Sequence, residues 1–102
     1  MIEVWDNISL AWVDALRKCV DLCKNGYIIV FQSVNRGLLI VELKHSGNGN
    51  VITIKAYEES FTMIKNGKTI KHERYAFDSI RCSVLIKSDN NKIYSFIQDD
   101  CR

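Results

Sequence analysis

The sequence predicts an α+β fold, an N-terminal amphipathic helix packed on a curved, meandering antiparallel sheet of six or seven strands. Three observations predict it. Apolar residues recur at helical spacing over about 6–25. The period changes to two after Gly26, among β-branched and aromatic residues. Short Gly- and Asn-containing turns then separate one alternating stretch from the next. A chain of 102 residues is one domain, 1–102, with a core that needs neither metal nor disulfide staple.

Asp6 or Asn7 is suited to accept from the free amides that open a helix. At about 100° per residue, Ile8, Trp12, Ala15, Leu16, Cys19, Leu22 and Cys23 share one side, with Val13 and Val20 at its margin. Asp14, Arg17, Lys18, Asp21 and Lys24 fall opposite, on a solvated face with local ion pairs, and Leu10 fits neither group. Asn25 or Gly26 supplies the left-handed residue that ends the helix.

Strands are expected at 27–34 and 38–44, joined by Asn35-Arg36-Gly37 with a positive φ at Gly37. A looser turn at 45–50 leads to a strand at 51–57, and Glu58-Glu59 precedes another at 60–65. Asn66-Gly67 is a strong two-residue hairpin signal, followed by a strand at 68–74. Pairing Lys65 with Lys68 sets Met63 against Ile70 and Phe61 against His72 on one face. Residues 75–80 read as either a turn or the start of a strand. Strands at 79–87 and 92–98, joined by 88–91, complete the sheet, and the tail 99–102 is expected to fray.

Several strands are apolar on both faces. Tyr27, Ile29 and Phe31 alternate with Ile28 and Val30; Leu38 and Ile40 alternate with Leu39, Val41 and Leu43; Ile93 and Ile97 oppose Tyr94 and Phe96. One helix cannot cover both sides of such a sheet. Either the sheet curls over itself, or part of one face is a homodimer or partner surface.

A 47% hydrophobic and 25% charged composition is that of a soluble globular protein, without the roughly 20-residue apolar run a membrane span needs. The N-terminus lacks the basic and apolar regions of a secretory signal, so a cytoplasmic location is expected. A net charge of +2 is too small to imply nucleic acid by itself. Four cysteines in such a chain are expected as reduced thiols.

Cys19 and Cys23 read as core residues, because the C-terminal end of a helix dipole disfavours a thiolate. The remaining donors, Cys82, Cys101, His45 and His72, match no zinc spacing, so neither metal nor cofactor is expected. No nucleophile elbow, P-loop or dinucleotide fingerprint occurs. A metal-independent ribonuclease would have to combine His45 and His72 with Lys71 and Arg74.

The candidate binding residues are Lys65, Lys68, Lys71 and Arg74 on one hairpin, with Tyr75 or Tyr57 adding a stacking contact. The bland reading of these lysines is protection of a strand edge. The leading functional expectation is a small non-catalytic protein-binding domain, an inhibitor or immunity-type protein of the kind that neutralises a bacterial toxin or nuclease in toxin–antitoxin systems. Its net positive charge would be unusual opposite a basic nuclease. The alternatives are a nucleic-acid-binding module using the 65–74 hairpin and, behind it, the small ribonuclease.

Overall fold

The expected helix start at 6 or 7 is instead the end of a strand. In the computed structural model, which describes residues 1–76, 80–89, 91–99 and 101–102, β1 spans Ile2–Ile8. Ser9 is the residue that caps the helix, with extended φ −75° and ψ 164° and its Oγ accepting from the Trp12 amide at 3.3 Å. Asn7 turns the chain between the two elements with φ +57°, a conformation that Asn tolerates better than most residues. Asp6 spends its side chain on the Asn7 amide and the Ser83 hydroxyl.

Helix α1, Leu10–Lys24, buries Ala11, Trp12, Val13, Ala15, Leu16, Cys19, Val20 and Cys23. At about 100° per residue these positions span an arc of about 200°, twice the stripe needed to rest on one surface. The helix ends at Asn25, whose amide donates to the Leu22 carbonyl at 2.9 Å. Gly26 follows with φ +92°, and a Cβ there would lie 2.7 Å from His45 Nε2, so both backbone and space require glycine.

Five strands follow as a meander: β2 Tyr27–Asn35, β3 Leu38–His45, β4 Val51–Ala56, β5 Ser60–Lys65 and β6 Lys68–Arg74, in spatial order β2-β3-β4-β5-β6. Arg36-Gly37 and Asn66-Gly67 make two-residue turns, with positive φ at all four residues, as the primed hairpin turns require. The last two strands, β7 Cys82–Asp89 and β8 Lys92–Gln98, form a separate sheet with β1, in order β1-β7-β8. The expected single sheet of six or seven strands is therefore two antiparallel sheets, with eight strands among the described residues. The extra strand pairs Val4 with Leu85 and Trp5 with Val84, a contact between the ends of the chain that no local pattern reports. The start expected at 79 lies outside the described residues, as do 77–79 of the ambiguous 75–80 stretch.

Buried side chains of α1 and both sheets form one cluster. Leu39, Val41, Leu43, Ile52, Ile54, Phe61 and Met63 line the inner face of the larger sheet, and Cys82, Val84, Ile86 and Ile93 come from the smaller. Helix α1 touches β7 and β8 on one side and β2 to β5 on the other. The sheets meet where the Ile29 amide donates to the Asn91 carbonyl at 2.8 Å.

Two bulges move side chains away from their expected faces. In β2 the register shifts between Ile29 and Phe31, so Phe31 pairs with Glu42 and leaves the face of Tyr27 and Ile29. In the β5–β6 hairpin, Lys65 pairs with Lys68 as expected, but a bulge opposite the Met63–Ile64 step sets Met63 against Lys71 and Phe61 against Glu73. His72 is consequently opposite Thr62 rather than Phe61, and it is exposed. One extra residue inverts every later position, because strand side chains alternate with period two.

The thiol expectation divides in two. Cys19 and Cys23 are free and buried, but Cys82 and Cys101 form a disulfide. The tail does not fray as expected: Arg102 donates its amide to the Arg81 carbonyl at 2.7 Å, beside the disulfide. Burial, reinforced by the neighbouring Cys23, pushes the Cys19 thiol well above its ordinary range, and burial likewise raises Cys23.

Thiol titration without reductant is expected to find no reactive cysteine in the native protein and two after unfolding in urea; four would show that the disulfide is absent. Cys101→Ser, which opens a link across 19 residues of sequence, should cost about 3 kcal/mol in urea denaturation. A loss under about 1 kcal/mol would contradict this role.

Candidate protein-interaction surface

The outer face of the larger sheet is left uncovered by α1 and by the smaller sheet. Register assembles it row by row. Phe31, Glu42, Thr53, Ile64 and Thr69 lie side by side across the five strands. The adjacent row is Ser33, Ile40, Lys55, Thr62 and His72. Ile40 and Ile64 are half-buried between polar neighbours, and Phe31 remains 52% exposed. Apolar groups interleaved with threonine and single charges make a surface that can exchange water for a complementary protein face.

One end of this face closes in a shallow depression of about 530 Å³, lined by Arg36, Tyr57, Ser60, His72 and Arg74. Arg36 reaches it from the β2–β3 turn, Tyr57 from the β4–β5 connection, and His72 and Arg74 from β6. Glu58 and Glu59 also line it, but Glu58 is engaged by Arg81 at 2.8 Å. The Thr62 hydroxyl and His72 Nδ1 lie 2.8 Å apart, which fixes the imidazole on the outer face.

The six candidate binding residues from the sequence separate into three places. Lys65 and Lys68 pair beside the Asn66-Gly67 turn. Lys71 lies on the inner side, with Nζ 3.7 Å from Glu73 Oε1 and 5.9 Å from the centre of the Phe61 ring. Tyr75 turns toward the helix, donating its hydroxyl to Asp14 and packing against Phe61. Lys71 and Tyr75 thus share one place beside Phe61, and Arg74 and Tyr57 come together in the depression on the outer face. Phe31, Ile40, Ile64, His72 and Arg36 were not among those six. The apolar doubling of 27–34 and 38–44 pointed to that face, but the β2 bulge decided which residues occupy it.

The four groups of the ribonuclease alternative are not assembled. His45 Nδ1 accepts from the Gly47 and Asn48 amides at 3.0 and 3.1 Å, and its ring stands edge-on to Tyr27. His72 is on β6, three strand spacings or about 14 Å from β3 by sheet geometry, and Lys71 pairs with Met63 on the opposite face from His72. Among the described residues no group of three or more His, Cys, Asp or Glu side chains is arranged to hold a metal ion. No helix among them is long and apolar enough to cross a membrane. Comparison with family models, curated proteins and solved structures finds no match to this chain.

Burial, followed by the hydrogen bond and charge of Asp14, raises the Tyr75 phenol above its ordinary 10.0. The folded state therefore favours the neutral phenol. Its stabilising contribution is complete below about pH 10 and is lost as the pH climbs from there toward the folded-state value. Tyr75→Phe should cost about 1–2 kcal/mol at neutral pH and flatten the loss of stability above about pH 10 in urea denaturation. An alkaline limb as steep as wild type would contradict the Tyr75–Asp14 contact.

Proposed function

We propose that this chain is a small non-catalytic protein-binding domain of the inhibitor or immunity type, which neutralises a toxin or enzyme by covering part of its surface. The observation that supports the reading is the uncovered outer face of the larger sheet, where Phe31, Ile40 and Ile64 are interleaved with polar side chains beside Arg36, His72 and Arg74. The partner it suits has an apolar patch bordered by carboxylates. That pairing removes the difficulty of the net +2 charge, because the partner is acidic where the two meet. The Cys82–Cys101 disulfide favours an oxidising compartment for this work over the cytoplasm, where thiols are kept reduced.

Nucleic-acid binding is the second reading, supported by the grouping of Arg36, Arg74 and His72 with Tyr57. Two cations and one aromatic ring suit a short phosphate contact, with the base stacked beside it.

Affinity capture from host extract with wild type, Phe31→Asp and Arg74→Glu distinguishes these readings. A partner retained by wild type, lost by more than tenfold in both variants, and forming a 1:1 complex by sedimentation is the expected result. Capture indifferent to both substitutions would overturn the assignment of this face. Binding to labelled RNA or DNA that weakens steeply between 50 and 200 mM salt, roughly the range in which phosphate contacts are lost, would favour the second reading instead.

A further inference from the structure

A second concavity lies on the other side of β2, where the two sheets approach each other. It is a cleft of about 370 Å³, within the size range of small-ligand sites. Leu16 of α1, Ile29 of β2, Ile86 of β7 and Ile93 of β8 supply its aliphatic lining, and Trp5 of β1 its aromatic one. The cleft exists because the sheets join through the Ile29–Asn91 hydrogen bond beside the β2 bulge.

The polar groups of the cleft have one dominant sign. Glu3 is half-buried, with Oε2 accepting from the Trp5 indole at 3.1 Å, and Asp89 is exposed at the rim. Neither carboxylate has an ion-pair partner among the described residues. No lysine, arginine or histidine lines the cleft. Lys92, the register partner of Asp89, lies near enough to Cys23 to influence its thiol. The Met1 α-ammonium is the one cation at the margin among the described residues, and the Ser88 carbonyl holds it at 2.8 Å. Two carboxylates and one ammonium that is already bonded thus line the cleft above its apolar walls.

We propose that this cleft binds an organic cation carried on a short aliphatic stem, an alkylguanidinium, with the stem on Leu16, Ile29, Ile86 and Ile93 and the cationic head between Glu3 and Asp89 beside Trp5. Apolar surface takes the stem out of water. The carboxylates attract the head more strongly at a low-dielectric wall than they would in open solvent. The indole adds an attractive face for a delocalised cation. A guanidinium is planar, weakly hydrated and able to donate to two carboxylates at once. An anion would meet the wrong charge, and a neutral ligand would leave the carboxylates unused. The inference is independent of the protein-binding reading, since it uses different residues on a different side of β2.

The test is titration of the whole chain with butylguanidinium, and with butylurea as its neutral counterpart of the same shape, following the Trp5 indole N–H resonance by NMR. Trp5→Phe assigns that signal between the two tryptophans. A saturable Trp5 shift with butylguanidinium is expected, at least tenfold weaker with butylurea and at least fivefold weaker in Glu3→Gln/Asp89→Asn. A glutamine amide oxygen can still accept from the indole, so the double variant keeps that bond, and its dispersed spectrum verifies folding. Capped Gly-Arg-Gly and Gly-citrulline-Gly peptides form a second arm. Selective binding of the arginine peptide identifies a partner's side chain as the source, whereas binding of butylguanidinium alone identifies a free small cation; both support the site. Equal response to butylguanidinium and butylurea, or no saturation below about 50 mM, overturns it.

Discussion

The structure depends on one helix having two clients. Sheets of three and five strands cannot each enclose a core, and a β-sheet needs an apolar layer on at least one face to persist. Helix α1 supplies that layer to both. Its buried positions run from Ala11 through Leu16 to Val13 around the helix axis, an arc wide enough to meet β8 on one side and β3 to β5 on the other. Val13 and Val20 are fully part of the core; they are what a helix resting on a single sheet would have left at the margin. Removing the helix would leave Val84 and Ile86 with no common core to share with Leu39 and Ile54.

That arrangement also determines where function can reside. Because α1 occupies the inner faces, the outer face of the larger sheet is left open to another molecule. The bulge in β2 turns Phe31 toward this side, and the bulge in β6 turns His72 toward it beside Arg74. The same edge strand carries Lys68, which faces Lys65, and the Lys71–Glu73 ion pair, consistent with lysines that discourage edge-to-edge pairing. The seam between the sheets leaves the acidic, apolar cleft around Trp5. The larger sheet's outer depression thus holds Arg36 and Arg74 together with Glu58 and Glu59, whereas the cleft beside β2 holds Glu3 and Asp89 with no side-chain cation.

The cysteines show how similar side chains acquire different roles from their neighbours. Cys19 and Cys23 are four residues apart on α1, where burial suppresses ionisation and excludes reagents. Cys82 is equally buried, yet Cys101 reaches it from the chain end and closes a bridge. With Arg81 and Arg102 exchanging backbone hydrogen bonds next to that bridge, the tail becomes an extension of the smaller sheet's pairing.

Local sequence determined the helix body, its Asn25-Gly26 stop, the strands from β2 to β6 and their tight turns, because each rests on short-range periodicity or on a residue able to take positive φ. It located the basic hairpin but not the separation of Lys71 from Arg74, since an inserted bulge residue leaves no mark in a two-residue pattern. It could not reveal β1, because Ile2–Ile8 is a strand only when β7 arrives beside it. Nor could it pair Cys82 with Cys101, or place Glu3, Trp5 and Asp89 around one cleft. Those facts join residues far apart in the chain. Only tertiary packing decides them, because the energy that fixes β1, the disulfide and the cleft lies in contacts between segments, while sequence periodicity reports the preferences within one.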